Sequence, residues 1–485
     1  MSLTPSLKPL ALAGFLSLAN VIAGCSDSAY ESSFVYSQGT LSLMREAQDG
    51  TKETPGVKKL LDDRFGDPQH LKAWGKLPVD FGGALASVEE VSQSEPGNKI
   101  IKLAVEEGKT LPMKAGSVKF VTGACAGESV QVSKWNAETG EATLAIAPSK
   151  EIAAGDACAV DGGTVLSSGR MLYMRHCSHC HGTSGDGNGP TARYLNPKPR
   201  DYRHGVFKFT STNDMSKISR DDLSRIVKYG IPGTYMPSFL LMKDNEHHAI
   251  IEYVRFLTLR GEYERKLVAE LSSDFSQTAY DSRLKDGEKK AEIQTELHEF
   301  LAADLMESAS TLGDELAEIW SAADTEEAAI VPSMARIPDT PESRRRGREL
   351  FLSKTLNCAD CHGIDGAGNG PQTIAFEKNP QKANELYNEP GLHDIWDNLN
   401  QPRNLQLGVY RGGRRPIDLF RRIHAGIKGS RMPSFKNTPH EDIWHIVNYV
   451  LSIPFESDPG ATGIALSAAA ESVAAPAAVT APPSK

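Results

Sequence analysis

Residues 175–190 read RHCSHCHGTSGDGNGP and residues 356–371 read LNCADCHGIDGAGNGP. A C-x-x-C-H signature and a Gly-Asn-Gly-Pro run return almost unchanged within one chain. The flanks return as well. Gly169-Arg170-x-Leu172-Tyr173 precedes the first motif and Gly347-Arg348-x-Leu350-Phe351 the second. A Met-Pro-Ser-Phe run follows each, in GIPGTYMPSF with Met236 and GIKGSRMPSF with Met432. IIEYVRFLTLRG closes the first copy and HIVNYVLSIPF the second, both with helical spacing of apolar residues and with Tyr253 matching Tyr449. The chain therefore holds two copies of one module, residues 166–262 and 342–456.

In an exported chain, C-x-x-C-H is the attachment sequence for c-type haem. Thiols one helical turn apart reach the two vinyl groups of one porphyrin, and the next residue lies under the iron. The expected covalent attachments are Cys177 and Cys180, then Cys358 and Cys361, with His181 and His362 as axial ligands of two haems. A zinc half-site would have to borrow ligands between copies, and a redox dithiol does not need the histidine. Met236 and Met432 are the expected opposite ligands, since Pro237 and Pro433 keep both loops out of a helix. A thioether opposite histidine favours ferrous iron and raises the potential. His176, His179, His204 and His424 are the rival ligands. A ligating histidine donates its other N–H to a carbonyl, expected here from Pro190 and Pro371. Arg200 and Arg403, recurring in KPRDYRHGVF and QPRNLQLGVY, are expected to meet haem propionates; surface arginine is the alternative.

These motifs resemble those of class I cytochrome c domains: a first helix, C-x-x-C-H, a Gly-Pro loop, a methionine loop and a last helix. The resemblance spans the two copies, and it implies a close crossing of first and last helices where Gly169 meets Tyr253 and Gly347 meets Tyr449. The first copy is similar to multidomain c-type cytochrome lipoproteins of planctomycete-type bacteria. The second departs by QTIAFEKNPQKANELYNEPGLHDIWDNLN, an insertion before Pro402 that would cover a haem edge or form a docking surface.

The 485 residues carry a net charge of −9 with 40% hydrophobic and 24% charged side chains, which leaves room for several domains and gives no basic footprint for nucleic acid. Residues 1–24 read as a signal peptide, their apolar run being too short and interrupted to span a membrane. Ile22-Ala23-Gly24-Cys25 resembles a lipobox, which makes Cys25 the expected lipid anchor; a plain signal peptide cleaved elsewhere is the alternative. Residues 25–165 form an N-terminal domain whose second half alternates like β-strands around an NAETG turn. There Cys125 and Cys158 would form a disulfide or stay as buried thiols. Residues 263–341 form an acidic helical connector, with Ile293, Leu297, Phe300, Leu301, Leu305, Leu312, Leu316 and Ile319 on one apolar face. Residues 261–340 hold 19 acidic against 7 basic side chains, whereas residues 165–260 hold 14 basic against 8 acidic. The connector either presents a solvated acidic face or lies against a basic one. Residues 457–485, rich in Ala and Pro, read as a disordered tail.

The expected fold is mainly α: two cytochrome c-like domains joined by a helical connector, with a small β-containing N-terminal domain. The expected function is single-electron transfer by a lipid-anchored dihaem cytochrome on the periplasmic side of a bacterial membrane. Its partners would be redox proteins (a quinol-oxidising complex, a terminal oxidase or another reductase), with no small-molecule substrate and no nucleic acid. A dihaem peroxidase-like enzyme with one labile sixth ligand is the alternative, and a haem-based sensor or scaffold a third reading compatible with the first.

Overall fold

The computed structural model describes residues 33–36, 40, 56–94, 98–105, 111–113, 115–380, 382 and 385–455. The signal peptide, Cys25 and the 457–485 tail lie outside the described residues.

Each copy is built on a crossing of its first and last helices. In the first copy α2 (Thr164–His176) crosses α5 (Asp244–Phe275), and in the second α9 (Pro341–Leu352) crosses α12 (His440–Ser452). The glycine in each first helix makes this possible. A Cβ on Gly169 would run into the Ala249 carbonyl oxygen and lie 2.8 Å from Tyr253 Cβ. A Cβ on Gly347 would run into the His445 carbonyl oxygen and lie 2.8 Å from Tyr449 Cβ. Tyr173 packs on Tyr253 at 5.2 Å between ring centroids, and Phe351 on Tyr449 at 5.4 Å. The short helices α3 (Ser178–His181) and α10 (Cys358–His362) carry the C-x-x-C-H motifs, and α4 (Arg220–Tyr229) and α11 (Pro416–Ala425) lead into the methionine loops. Helix α9 starts cleanly because Pro341 sits in its first turn and Thr340 Oγ1 accepts from the Ser343 N–H at 3.2 Å. Thr340→Ala is expected to lower the second copy's stability by about 1 kcal/mol, read as a shifted denaturation midpoint. An unchanged midpoint would mean that the cap contributes nothing.

Helix α5 does not stop at residue 262. Its 32 residues run roughly 48 Å, through the boundary expected between first copy and connector. The stretch from Ala249 to Glu264 is buried all round, as happens when a helix is packed on several sides. Its charges are paired accordingly: Glu252 with Arg220 at 2.6 Å, Arg260 with Glu264 at 3.0 Å, and Arg255 with Asp324 at 3.2 Å. The connector folds back onto α5 as α6 (Gln277–Lys285), α7 (Lys290–Ala302) and α8 (Asp304–Ala322). Trp320 is fully buried, its Nε1–H donating to Glu262 at 2.9 Å. The single apolar face expected there is split between α7 and α8, and Ile319 at its far end is exposed.

The N-terminal region divides in two. Helix α1 (Val57–Phe65) and the chain up to Val79 share the core of the first copy, with Phe65 packed on Phe256 at 5.5 Å and on Tyr263 at 5.9 Å. The rest is a closed antiparallel barrel with its own core, in the strand order β1-β2-β5-β4-β3-β6. Its strands are β1 (Ala84–Ser94), β2 (Asn98–Ala104), β3 (Ser117–Phe120), β4 (Ser129–Asn136), β5 (Glu141–Leu144) and β6 (Ala157–Val160). The hairpin read around NAETG forms, pairing Asn136 with Glu141 and Val132 with Leu144. Strands β1 and β2 lie outside the stretches read as β; a register shift between Val88 and Glu90 breaks the alternation of β1. Of the two alternatives for Cys125 and Cys158, the disulfide is not formed and both are separate buried thiols. Cys125 Sγ is directed at the Lys150 carbonyl at 3.2 Å, while Cys158 sits within β6, where burial pushes its thiol up to about 12. No helix of the described residues is long and apolar enough to cross a membrane.

Candidate functional site

The C-x-x-C-H turns are held by the same backbone bonds in both copies. The Gly187 N–H donates to the His181 carbonyl at 2.9 Å and the Gly368 N–H to the His362 carbonyl at 2.7 Å. Gly189 reaches the Cys180 carbonyl at 3.1 Å, and Gly370 the Cys361 carbonyl at 3.2 Å. These bonds tie each Gly-Asn-Gly-Pro run to the outer side of its turn and leave Pro190 and Pro371 exposed. At His181 the carbonyl expected from Pro190 comes instead from Arg200. His181 Nδ1–H donates to the Arg200 carbonyl at 3.2 Å, and the Arg403 backbone takes the matching place beside His362, where the geometry stops short of a hydrogen bond. Tyr202 stacks on His181 at 4.8 Å. Burial pushes His181 down to about 4 and lowers His362, so both imidazoles stay neutral and keep Nε2 available as a ligand.

The methionine loops correspond bond for bond. Met236 N–H donates to Thr234 Oγ1 at 3.1 Å, and Met432 N–H to Ser430 Oγ at 3.2 Å. The Ile231 N–H reaches the Met236 carbonyl at 3.2 Å, and Ile427 that of Met432 at 3.1 Å. Ser238 Oγ donates to the Lys228 carbonyl at 2.7 Å and Ser434 Oγ to the His424 carbonyl at 2.8 Å. Gly230 (φ +67°) and Gly426 (φ +72°) start each loop in the left-handed region and abut its returning backbone, where a side chain would clash.

In the first copy Cys177, Cys180, His181 and Met236 all line one cavity of about 1180 Å³. Leu223, Ile226, Val227, Phe239, Ile250 and Val254 supply apolar wall. The volume lies just above the range of about 300–1,000 Å³ usual for small-molecule sites, enough for a macrocycle. Burial pushes both Cys177 and Cys358 up to about 12, the opposite of the lowered thiol of a redox or metal-binding pair. Among the described residues no three His, Cys, Asp or Glu side chains converge as a metal site. Two thiols, a neutral imidazole, a thioether and an apolar wall fit a covalent haem. Of the rival histidines, His176, His179 and His204 line this cavity as well, His204 tilted against Trp396 at 5.4 Å. His424 lies against Phe420 and His440 in the second copy.

The insertion of the second copy lines part of the first copy's cavity. Asp394, Ile395, Trp396 and Asn398 line it together with Arg200. Lys208 and Asp394 form an ion pair at 2.9 Å, 11% and 5% exposed. The Arg200 guanidinium stacks on the Trp396 ring at 3.7 Å, and the Ile395 N–H donates to the Gly429 carbonyl at 3.1 Å. Lys208, Asp394, Trp396 and Arg411 were not singled out from the sequence. Lys208 and Arg411 were nonetheless legible, because they hold the same place in GVFK and GVYR.

The Cytochrome c family model matches residues 166–258 and 345–454, so the chain carries two tandem cytochrome c domains, which imply covalently bound c-type haem. No curated protein matches the chain. Among solved structures, the Kuenenia stuttgartiensis reducing HAO-like protein complex is similar over 59% of this chain and 95% of that one, at 20% identity and a TM-score of 0.40. At that distance the likeness specifies neither activity nor partners.

Proposed function

From two tandem cytochrome c domains as premise, we propose that the protein is a dihaem c-type cytochrome that passes single electrons between redox protein partners. The bond-for-bond repetition of the methionine loops, with Met236 opening into the cavity of Cys177, Cys180 and His181, carries this reading. Cys177 and Cys180, and Cys358 and Cys361, hold the two haems covalently. His181 with Met236, and His362 with Met432, would hold the two irons and leave no position free for a substrate. Bound there, each haem supplies a one-electron ferric–ferrous couple. The protein does the remainder: the Arg200 carbonyl orients the His181 ring, the apolar wall excludes water, and the methionine loop keeps the sulfur in place. Cys25, lipidated, tethers the chain on the periplasmic side of a membrane. Its partners are a quinol-oxidising complex, a terminal oxidase or another reductase.

Haem quantification and an optical spectrum of the reduced protein, before and after carbon monoxide, test this. Two haems per chain and an unchanged spectrum are expected. A response from half of the haem would replace the carrier by a dihaem peroxidase-like enzyme with one labile ligand.

A further inference from the structure

The cavity of the first domain is not completed by that domain alone. Besides Lys198, four cations line it, Arg200 and Lys208 from the first domain and Arg403 and Arg411 from the second. They hold matching places, PRDYRHGVFK in one copy and PRNLQLGVYR in the other. The contacts around them are reciprocal too. Arg403 Nη2 lies 2.6 Å, and Val409 Cγ1 3.1 Å, from where a Cβ on Gly233 of the first methionine loop would stand. At the equivalent Gly429 of the second loop, a Cβ would stand 3.2 Å from Val206 Cγ1 and 2.7 Å from the Trp396 ring. Patch i on patch j, with j on i, is the contact pattern of a two-fold arrangement.

Asp186, Asp201, Glu389, Asp394 and Asp397 line the cavity as well, yet of these four cations only Lys208 is held in an ion pair. Lys208 is paired with Asp394. Among the described residues Arg200, Arg403 and Arg411 have no carboxylate oxygen within the 4.0 Å of an ion pair. Arg200 faces an indole and Arg403 Nε a carbonyl, that of Val409 at 3.0 Å. Two buried donors, Arg411 Nε and Trp396 Nε1, have no hydrogen-bond partner. Burial and Arg200 push Lys208 down to about 8 despite its partner, and burial and Arg403 lower Arg411. Unpaired cations and donors withdrawn from water are costly unless an anion meets them. Guanidinium forks and an indole N–H are suited to carboxylates, and carboxylates are what a haem carries on one edge.

We propose that Arg200, Lys208, Arg403 and Arg411, with the Trp396 indole, form one carboxylate-binding cluster shared by the propionates of both haems, so that the haems meet edge to edge at the domain interface and exchange electrons directly. The proposal rests on the dihaem reading above. It makes Arg403 a residue of both sites: its backbone stands beside His362, and its side chain faces the first domain's cavity.

The test uses the full-length holoprotein and the variants Arg403→Gln and Arg411→Gln, with exposed Arg414→Gln as a charge-matched control. Both midpoint potentials are read by optical redox titration and assigned by the shift that Met236→Ala imposes on one of them. Loss of a cation beside the propionates favours the ferric form. Each variant should therefore lower both midpoints, on the order of tenfold in each reduction equilibrium, about 59 mV for one electron. The control should move neither. A shift confined to the second haem would overturn the shared cluster. Should a variant fail to load two haems, pulsed electron paramagnetic resonance on the unmodified ferric protein decides. Resolvable dipolar coupling between the two irons is expected, and its absence would overturn the proposal. Failure of the dihaem reading shows separately, in haem count and carbon monoxide response.

Discussion

Gly169→Val should unseat the helix crossing of the first domain and reduce haem attachment there. The obstacle is backbone: any Cβ at this position runs into the Ala249 carbonyl oxygen and stands 2.8 Å from Tyr253 Cβ. No rotamer change relieves a clash with a main-chain atom, so α2 and α5 must move apart. That movement loosens the Tyr173–Tyr253 contact and the bond from Tyr173 OH to the Gly182 carbonyl, 2.9 Å long, directly behind the C-x-x-C-H turn. The expected destabilisation is about 3 kcal/mol, the upper range for overpacking, with the haem count falling towards one per chain. Gly347→Val should do the same in the second domain. Gly75→Ala is the control, since its nearest foreign atom would be Val121 Cγ1 at 3.7 Å; a change within about 0.5 kcal/mol is expected there. Denaturation followed by haem absorbance gives the values. A Gly169→Val protein with two haems and an unmoved midpoint would show that the crossing is not what places the motif.

Met236→Ala should convert one of two closed haems into an open one. Removing the thioether leaves His181 as the only protein ligand on that axis, so about half of the reduced haem should respond to carbon monoxide. The midpoint of that haem should fall by roughly 0.1 V or more, within the span of about 0.8 V that axial ligands control. Met432→Ala should act on the other haem, and the double variant on all of it. Size alone does not explain such a result: the loop is held by bonds from Thr234, Ile231 and Ser238 that do not involve the methionine side chain, so it should keep its shape. If Met236→Ala left the spectrum closed and the potential unmoved, the ligand would be another side chain of the same cavity, with His176, His179 and His204 in reach of it.

The barrel shows where reading by periodicity stops. Strands β4 and β5 were legible from the turn between them, although β4 shifts register between Val132 and Lys134, whereas β1, which shifts between Val88 and Glu90, lay outside the stretches read as β. The connector shows a second limit. Its apolar positions were readable, but their break at Ala303 and the target they bury against were not, because both depend on the long α5 continuing past the expected boundary. The cysteines of the barrel show a third. Two thiols in one small domain satisfy the redox rule, yet a bridge requires that their side chains converge, and Cys125 turns to the Lys150 carbonyl instead.

What the sequence determined by itself was local: the two C-x-x-C-H motifs and the methionine loops, the glycine–tyrosine crossings being implied only by the family resemblance. Their chemistry depends on residue type at fixed spacing, and short spacing survives any arrangement of the remaining chain. Which carbonyl holds His181 was not of that kind, since every residue has a carbonyl and only the path of the loop selects Arg200 over Pro190. Nor was the meeting of Arg200, Lys208, Arg403 and Arg411 in one cavity, or the roof that Trp396 lays over Arg200. Those contacts join residues about two hundred positions apart, and they exist because the second domain packs its insertion onto the first. Sequence named the candidate ligands; the packing of one domain against the other brought their surroundings together.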